Sequence, residues 1–282
     1  MASRLGRRTR QVFHEAPLVL FSTLASVSCG IGAAWWAVLL EGGAGAGSPR
    51  SLAALAALFM GAALLFSLLH LGRPPRMFRA VTGLGTSCLS WEVLFASGFF
   101  LLAGGGWILP APAAAWSWLA SCCAALAFFA AMGQVYRLRG QLTWTYRTSA
   151  PSFILGAAAG AVIIHLTLQG SEPPGLAVLL LVLDLLLLLG RWRWYGTMGR
   201  EGRPAHPILF AARSWLLGSR AVLADFMPLL YLLAPGGEAR TAAFFLITGL
   251  FADRFVFYAL AVRRSTASEV ARVGHLIRHL TP

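Results

Sequence analysis

Along this sequence apolar residues come in long blocks separated by short, arginine-bearing connections, not in the alternation of a half-buried strand. A helix rises about 1.5 Å per residue, so a hydrocarbon layer of about 30 Å needs about 20 apolar residues in a row. Eight blocks serve: Pro17 to Leu40, Ser51 to Leu71, Ser87 to Leu109, Pro112 to Tyr136, Pro151 to Gly170, Pro174 to Gly190, Ser214 to Leu233 and Thr241 to Val262. The sixth is short, yet its core from Leu181 to Leu189 carries only Asp184 as a charge. The pattern predicts an all-α integral membrane protein, an eight-transmembrane-helix bundle forming one domain over residues 1–282. The connections near Pro110, Ser171 to Pro173 and Ala234 to Arg240 are short, so spans 3/4, 5/6 and 7/8 pair as hairpins.

Composition excludes the soluble alternatives. Of 282 residues 58% are hydrophobic and 12% charged, with a mean hydropathy of +0.71, against about 45–50% apolar and about 25% charged in soluble domains. The 23 basic residues face 10 acidic ones, and every one is arginine. A basic excess in a soluble protein suggests nucleic acid. These arginines sit between apolar blocks, so lipid headgroups and a protein docked on the membrane face are the better partners. An even number of spans puts both termini on one side, and all but four arginines fall there. Arg50 and Arg240 lie opposite, while Arg220 and Arg254 lie within spans. By the positive-inside rule both termini are cytoplasmic. Arg7-Arg8 is read as a topology anchor, because the following apolar run is too long for an export signal and seven more spans follow. At the other end, residues 263–282 space Val270, Val273, Leu276, Ile277 and Leu280 between Arg272, His275, Arg278 and His279. That is a basic amphipathic tail for the inner leaflet or a partner subunit.

Several chemistries lack their residues. Cys29, Cys88, Cys122 and Cys123 show no C-x-x-C spacing, so no iron–sulfur cluster is expected in this chain. A haem between two helices needs two histidines at matching depth. His70 ends span 2 at the inner edge, whereas span 5 reaches His165 only after roughly 21 Å of outward travel. No P-loop, dinucleotide fingerprint, H-E-x-x-H or nucleophile elbow occurs, and no bound metal is expected. Small residues recur every four positions at Ser22, Ser26, Gly30 and Ala34, at Ala53, Ala57 and Gly61, and at Gly156 and Gly160; these read as packing ridges. Asp184, Arg220, Asp225, Asp253 and Arg254 lie within spans, where an unpaired charge costs about 2.5–3.5 kcal/mol. They form either a structural network or the midplane site of a secondary transporter.

The richest stretch is His70-Leu-Gly-Arg-Pro-Pro-Arg-Met-Phe-Arg79, then Ser87-Cys-Leu-Ser-Trp-Glu92. It brings an imidazole, three guanidiniums and a carboxylate to one membrane edge. A quinone head needs hydrogen-bond partners and proton acceptors beside lipid, and imidazole and carboxylate are best suited to take protons near neutral pH. The same residues also fit positive-inside anchors, an interfacial cap and a glutamate favoured near a helix N-terminus.

His70-Leu-Gly with Pro74 and Arg76-x-Phe78, followed by Ser87-x-Leu-Ser90-x-Glu92, resembles the signature of the DmsC family of membrane anchor subunits. His14-Glu-Ala-Pro-Leu18, Val135-Tyr136-Arg137 with Trp144, and Arg254-x-Val-Phe-Tyr258 resemble further family segments. The resemblance implies eight spans in a bacterial inner membrane, no cofactor held by this chain, and menaquinone or ubiquinone as substrate. It implies a four-cluster ferredoxin-like iron–sulfur subunit and a molybdopterin catalytic subunit as partners, hence anaerobic respiration and sulfur metabolism. His70 would bind a quinol oxygen and Glu92 would help move its proton. Arg73 and Arg76 are added from this sequence as head-group contacts or a docking surface. Two departures stand out. Leu250 occupies the place of a glutamate in some relatives, and Asp253 the place of a small residue. The basic inner face also makes a cytoplasm-facing sulfite-oxidising enzyme as attractive as an exported sulfoxide reductase.

Overall fold

The computed structural model describes residues 16–40, 49–70, 83–85, 87–110, 112–136, 142–145, 149–169, 175–234 and 237–263. The apolar blocks are helices: α1 (Ala16–Leu40), α2 (Pro49–His70), α3 (Cys88–Ile108), α4 (Ala113–Val135), α5 (Ser149–Gln169) and α6 (Gly175–Glu201). After them come the short α7 (Pro207–Ala211), then α8 (Arg213–Ala221), a π-helical turn Val222–Phe226, α9 (Met227–Leu233) and α10 (Ala239–Ala259). Among the described residues, seven helical stretches are long and apolar enough to cross a membrane, with α8, the π turn and α9 counted as one. Of α5, the stretch Phe153–Ile164 is apolar but shorter.

Large side chains such as Leu58, Leu65, Leu101, Leu126 and Trp116 are exposed, as expected where lipid is the solvent. Two helices are central. In the membrane-crossing stretches of α1 and α10, 67% and 56% of residues are buried, against 28% in α2, α3 and α6. Small residues make that centre possible. Gly30 of α1 sits so close to α5 that a Cβ there would lie 2.9 Å from the Ala157 carbonyl oxygen. The α1 ladder expected from sequence is thus an interface, and it meets the Gly156–Gly160 stretch of α5. Ser28 of α1 donates to the Ala56 carbonyl of α2 at 2.6 Å.

Two helices depart from the sequence pattern. The sixth block ends by composition at Gly190, where Arg191-Trp-Arg begins, but α6 continues 11 residues further to Glu201. Its buried stripe runs Leu181, Asp184, Leu188, Arg191, Tyr195 and Met198, so Arg191 points into the protein and does not end the helix at the interface. The seventh block reads as one continuous helix and instead contains the π turn. Pro228 has no N–H to give to the Ala224 carbonyl, which loosens the helical ladder there. Gly249 of α10 completes the arrangement, because any Cβ at 249 would overlap the Ala224 backbone.

On the side where α4, α6 and α10 end, three connections are tied together. The antiparallel strands β1 (Arg203–Pro204) and β2 (Val262–Arg263) pair Arg203 with Arg263 and Pro204 with Val262. Leu142 N–H donates to the Val262 carbonyl at 2.8 Å, and Val262 N–H donates to Thr143 Oγ1 at 3.1 Å. These bonds hold Thr143–Thr145, a 3-10 turn, under the end of α10.

Substituting Gly249→Ala forces the π turn off α10 and is expected to cost about 1–3 kcal/mol, the usual range for overpacking a filled core. The unfolding midpoint of the detergent-solubilised protein checks this; an unchanged midpoint would contradict the packing.

Candidate functional site

Glu92 sits four residues into α3, about 6 Å along its axis. It belongs to the buried stripe Glu92, Ala96, Phe99, Ala103 and Gly106, whose alternating spacing of four and three keeps one helix face on the core. The carboxyl is therefore inside the protein and not against lipid, only 3% exposed, and its Oε1 has no hydrogen-bond partner among the described residues. A buried carboxyl left with an open acceptor is costly unless the site uses it.

Helical side chains lean toward their own N-terminus. Glu92 thus leans toward the end of α3 where the antiparallel α4 finishes, and Tyr136, capping α4, leans back toward Glu92. Glu92 interacts electrostatically with both Tyr136 and Tyr258, whose hydroxyls share a short hydrogen bond although 122 residues separate them. The pair lies in an aromatic box. Tyr136 stands edge-on to Phe257 at 4.9 Å between centroids, Trp144 stacks on Phe257 at 5.4 Å, and Trp144 Nε1 donates to the Phe257 carbonyl at 3.3 Å. Below the box the Arg254 guanidinium lies 3.4 Å over the ring of Phe153 and acts electrostatically on both tyrosines.

Arg254 leads into a buried ion network. Its Nη2 donates to Ser26 Oγ at 2.9 Å and its Nη1 lies 3.4 Å from Asp253 Oδ2. Asp253 Oδ1 accepts from Arg191 Nη2 at 2.7 Å and from Arg220 Nε at 2.9 Å. Arg220 also donates through Nη1 to Asp225 at 2.5 Å and through Nη2 to Asp184. Three arginines thus meet three aspartates, all under 6% exposed, across α6, α8, the π turn and α10. The π turn explains one pairing. Residues five apart lie on different faces of an α-helix, and one wide π turn between them brings Asp225 onto the face of Arg220.

The five in-span charges singled out from sequence are thus brought together and paired. Glu92 is placed on the core face. His70 closes α2, while Arg73, Arg76 and the tail 264–282 lie outside the described residues. Sequence reasoning missed Arg191, counted with the arginines of the inner surface although it stands seven residues from Asp184, two turns along the same face. It also missed Ser26 as a polar partner: its Oγ accepts from Arg254 Nη2. No group of three or more His, Cys, Asp or Glu among the described residues is arranged to hold a metal ion.

Comparison with known proteins matches residues 10–192 to the family model described as DMSO reductase anchor subunit (DmsC). The sequence is 35% identical over 100 residues to the C subunit of anaerobic dimethyl sulfoxide reductase from Escherichia coli, covering 34% of this protein and 35% of that one. It is 26% identical over 163 residues to the protein of the same name from Haemophilus influenzae, covering 55% of this protein and 58% of that one. The matches thus span between about one third and three fifths of these relatives' lengths.

Arg220→Leu would leave Asp184 and Asp225 without the cation they share. Breaking a buried pair costs about 3–5 kcal/mol, so the variant is expected to lose most of its folded yield in membranes. Arg220→Lys should rescue little, since one ammonium cannot present the planar fork that reaches three carboxylates. Wild-type yield from the leucine variant, read by size-exclusion profile in detergent, would contradict the network's structural role.

Proposed function

The chain belongs to the DMSO reductase anchor subunit (DmsC) family, and from that premise we propose that it is the membrane anchor and quinone-reactive subunit of a molybdopterin oxidoreductase complex. It exchanges electrons between menaquinone or ubiquinone and a four-cluster ferredoxin-like iron–sulfur subunit, which serves a molybdopterin catalytic subunit. The observation that carries the reading is Glu92: a carboxyl on the core face of α3, near one membrane edge, with an acceptor oxygen that no described residue fills.

In the quinol-oxidising direction the head group sits between the end of α2 and the start of α3. Glu92 accepts one hydroxyl proton and His70, bound to the other quinol oxygen, takes the second, while Arg73 and Arg76 hold the head group or the docked partner. The two electrons leave to the iron–sulfur subunit. Imidazole and carboxylate suit this work because each changes its proton load near neutral pH once its surroundings are tuned.

The multi-pass character follows from the seven apolar helices and the family. The finer topology is part of the proposal: α5 is the eighth span, both termini are cytoplasmic, and the complex faces the cytoplasm of a bacterial inner membrane. That placement suits a sulfite-oxidising enzyme as well as a sulfoxide-reductase-like one. The family match favours the anchor over a secondary transporter, and the in-span charges that would have served a transporter are occupied with one another.

Glu92→Gln and His70→Ala are each expected to lower quinol-linked turnover of the complex by about 100-fold or more, the usual worth of a positioned acid or base, with assembly intact. Unchanged turnover in both would remove the site assignment. A reporter fused after Pro282 is expected to be active on the cytoplasmic side only; activity on the far side would overturn the orientation.

A further inference from the structure

Glu92 accounts for where a quinol proton lands, and a buried carboxyl must then pass that proton on before the next turnover. Within electrostatic reach of the carboxyl stands the hydroxyl pair of Tyr136 and Tyr258, at most 6% exposed and sharing a hydrogen bond. Two phenols need not face one another in an apolar interior, since each could have been phenylalanine at no loss of packing. Their positions are also held on all sides. Trp144 and Phe257 box the rings, and Arg254 is fixed beneath by Asp253, Ser26 and the Phe153 ring.

We propose that Tyr136 and Tyr258 form a hydroxyl relay that carries the quinol proton from Glu92 to the membrane edge covered by the Thr143–Thr145 turn. This rests on the reading of Glu92 as the quinol's proton acceptor. In each passage one phenol releases its hydroxyl proton at the edge and becomes the transient phenolate; it then takes the hydroxyl proton of the other phenol, which is restored by the proton of the Glu92 carboxyl. Both tyrosines end as they began, Glu92 returns to carboxylate, and the electrons have left separately to the iron–sulfur partner. In quinone reduction the same steps run backward. Arg254, a fixed positive charge on Asp253, supports the transient phenolate and repels a free hydronium, which keeps the proton on the hydroxyls. The route stays at the end of the bundle where α4 and α10 finish, because Tyr136 caps α4 and Tyr258 is the penultimate residue of α10. The arginine–aspartate network deeper in the bundle is not part of it.

The test uses the assembled complex with a soluble quinol analogue, comparing Tyr136→Phe and Tyr258→Phe with Glu92→Gln. Both phenylalanine variants keep the rings that fill the box. The relay predicts that each lowers kcat by about tenfold or more, leaves KM for the quinol within about twofold, and enlarges the solvent deuterium isotope effect on kcat. A variant that merely disturbed the site would raise KM as well and leave the isotope effect unchanged, which would overturn the relay. Wild-type kcat in both tyrosine variants alongside an inactive Glu92→Gln would overturn the relay alone, and wild-type kcat in all three would overturn both it and the reading of Glu92. Should Tyr136→Phe fail to assemble, Tyr258→Phe decides the matter in the same assay.

Discussion

A charge in hydrocarbon must find a partner, and the organisation of this bundle follows from that requirement. Arg220 offers its donors to Asp184, Asp225 and Asp253, which come from three segments of the chain. Arg191 and Arg254 balance the remaining charge on Asp253. Taking away Arg220 leaves Asp184 and Asp225 without their cation, and taking away Arg191 or Arg254 leaves the set one positive charge short, whereas the whole set of three and three is neutral. The π turn, Pro228 and Gly249 are then consequences: the helix widens so that Asp225 can reach Arg220, and α10 carries no side chain where the widened turn presses on it.

The network also explains how a site near one membrane edge is kept in register. Arg254 joins the ion network to the aromatic box through Asp253, Ser26 and Phe153, and the box holds the tyrosine pair within electrostatic reach of Glu92. The loops at that edge are knitted by the β1–β2 ribbon and by Leu142 and Thr143 bonding to Val262. Rigidity passes from the middle of the bundle to the place where chemistry is proposed, through packed rings and hydrogen bonds on named residues.

Much of the fold was legible because one physical rule, the length of apolar helix needed to cross a bilayer, acts on local sequence alone. Helix boundaries fell within a few residues except at α6, where Arg191 marked the end of a span by composition but pairs with Asp253 62 positions away. Block counting has no access to such a partner. The π turn was hidden for the same reason: Pro228 is visible, but Gly249 needing the space of Ala224 is a contact between distant helices. At the site, Glu92 was legible from its residue type and its place at the start of a span. The facing of Tyr136 and Tyr258 was not, because two phenols 122 residues apart become neighbours only where the residue capping α4 meets the end of α10. Ser26 illustrates a further limit. Its four-residue spacing from Ser22 and Gly30 reads as packing, which is correct for the ladder, while its hydroxyl also accepts from Arg254.

The central claim, that this chain anchors a quinone-linked molybdenum enzyme, is tested most directly by isolating the tagged native protein in mild detergent and identifying what accompanies it by mass spectrometry together with iron and molybdenum analysis. The account predicts one ferredoxin-like iron–sulfur protein and one molybdopterin protein in amounts near those of the chain, with both metals present. A chain recovered alone and free of both metals, under conditions that preserve known membrane oxidoreductase complexes, would contradict it.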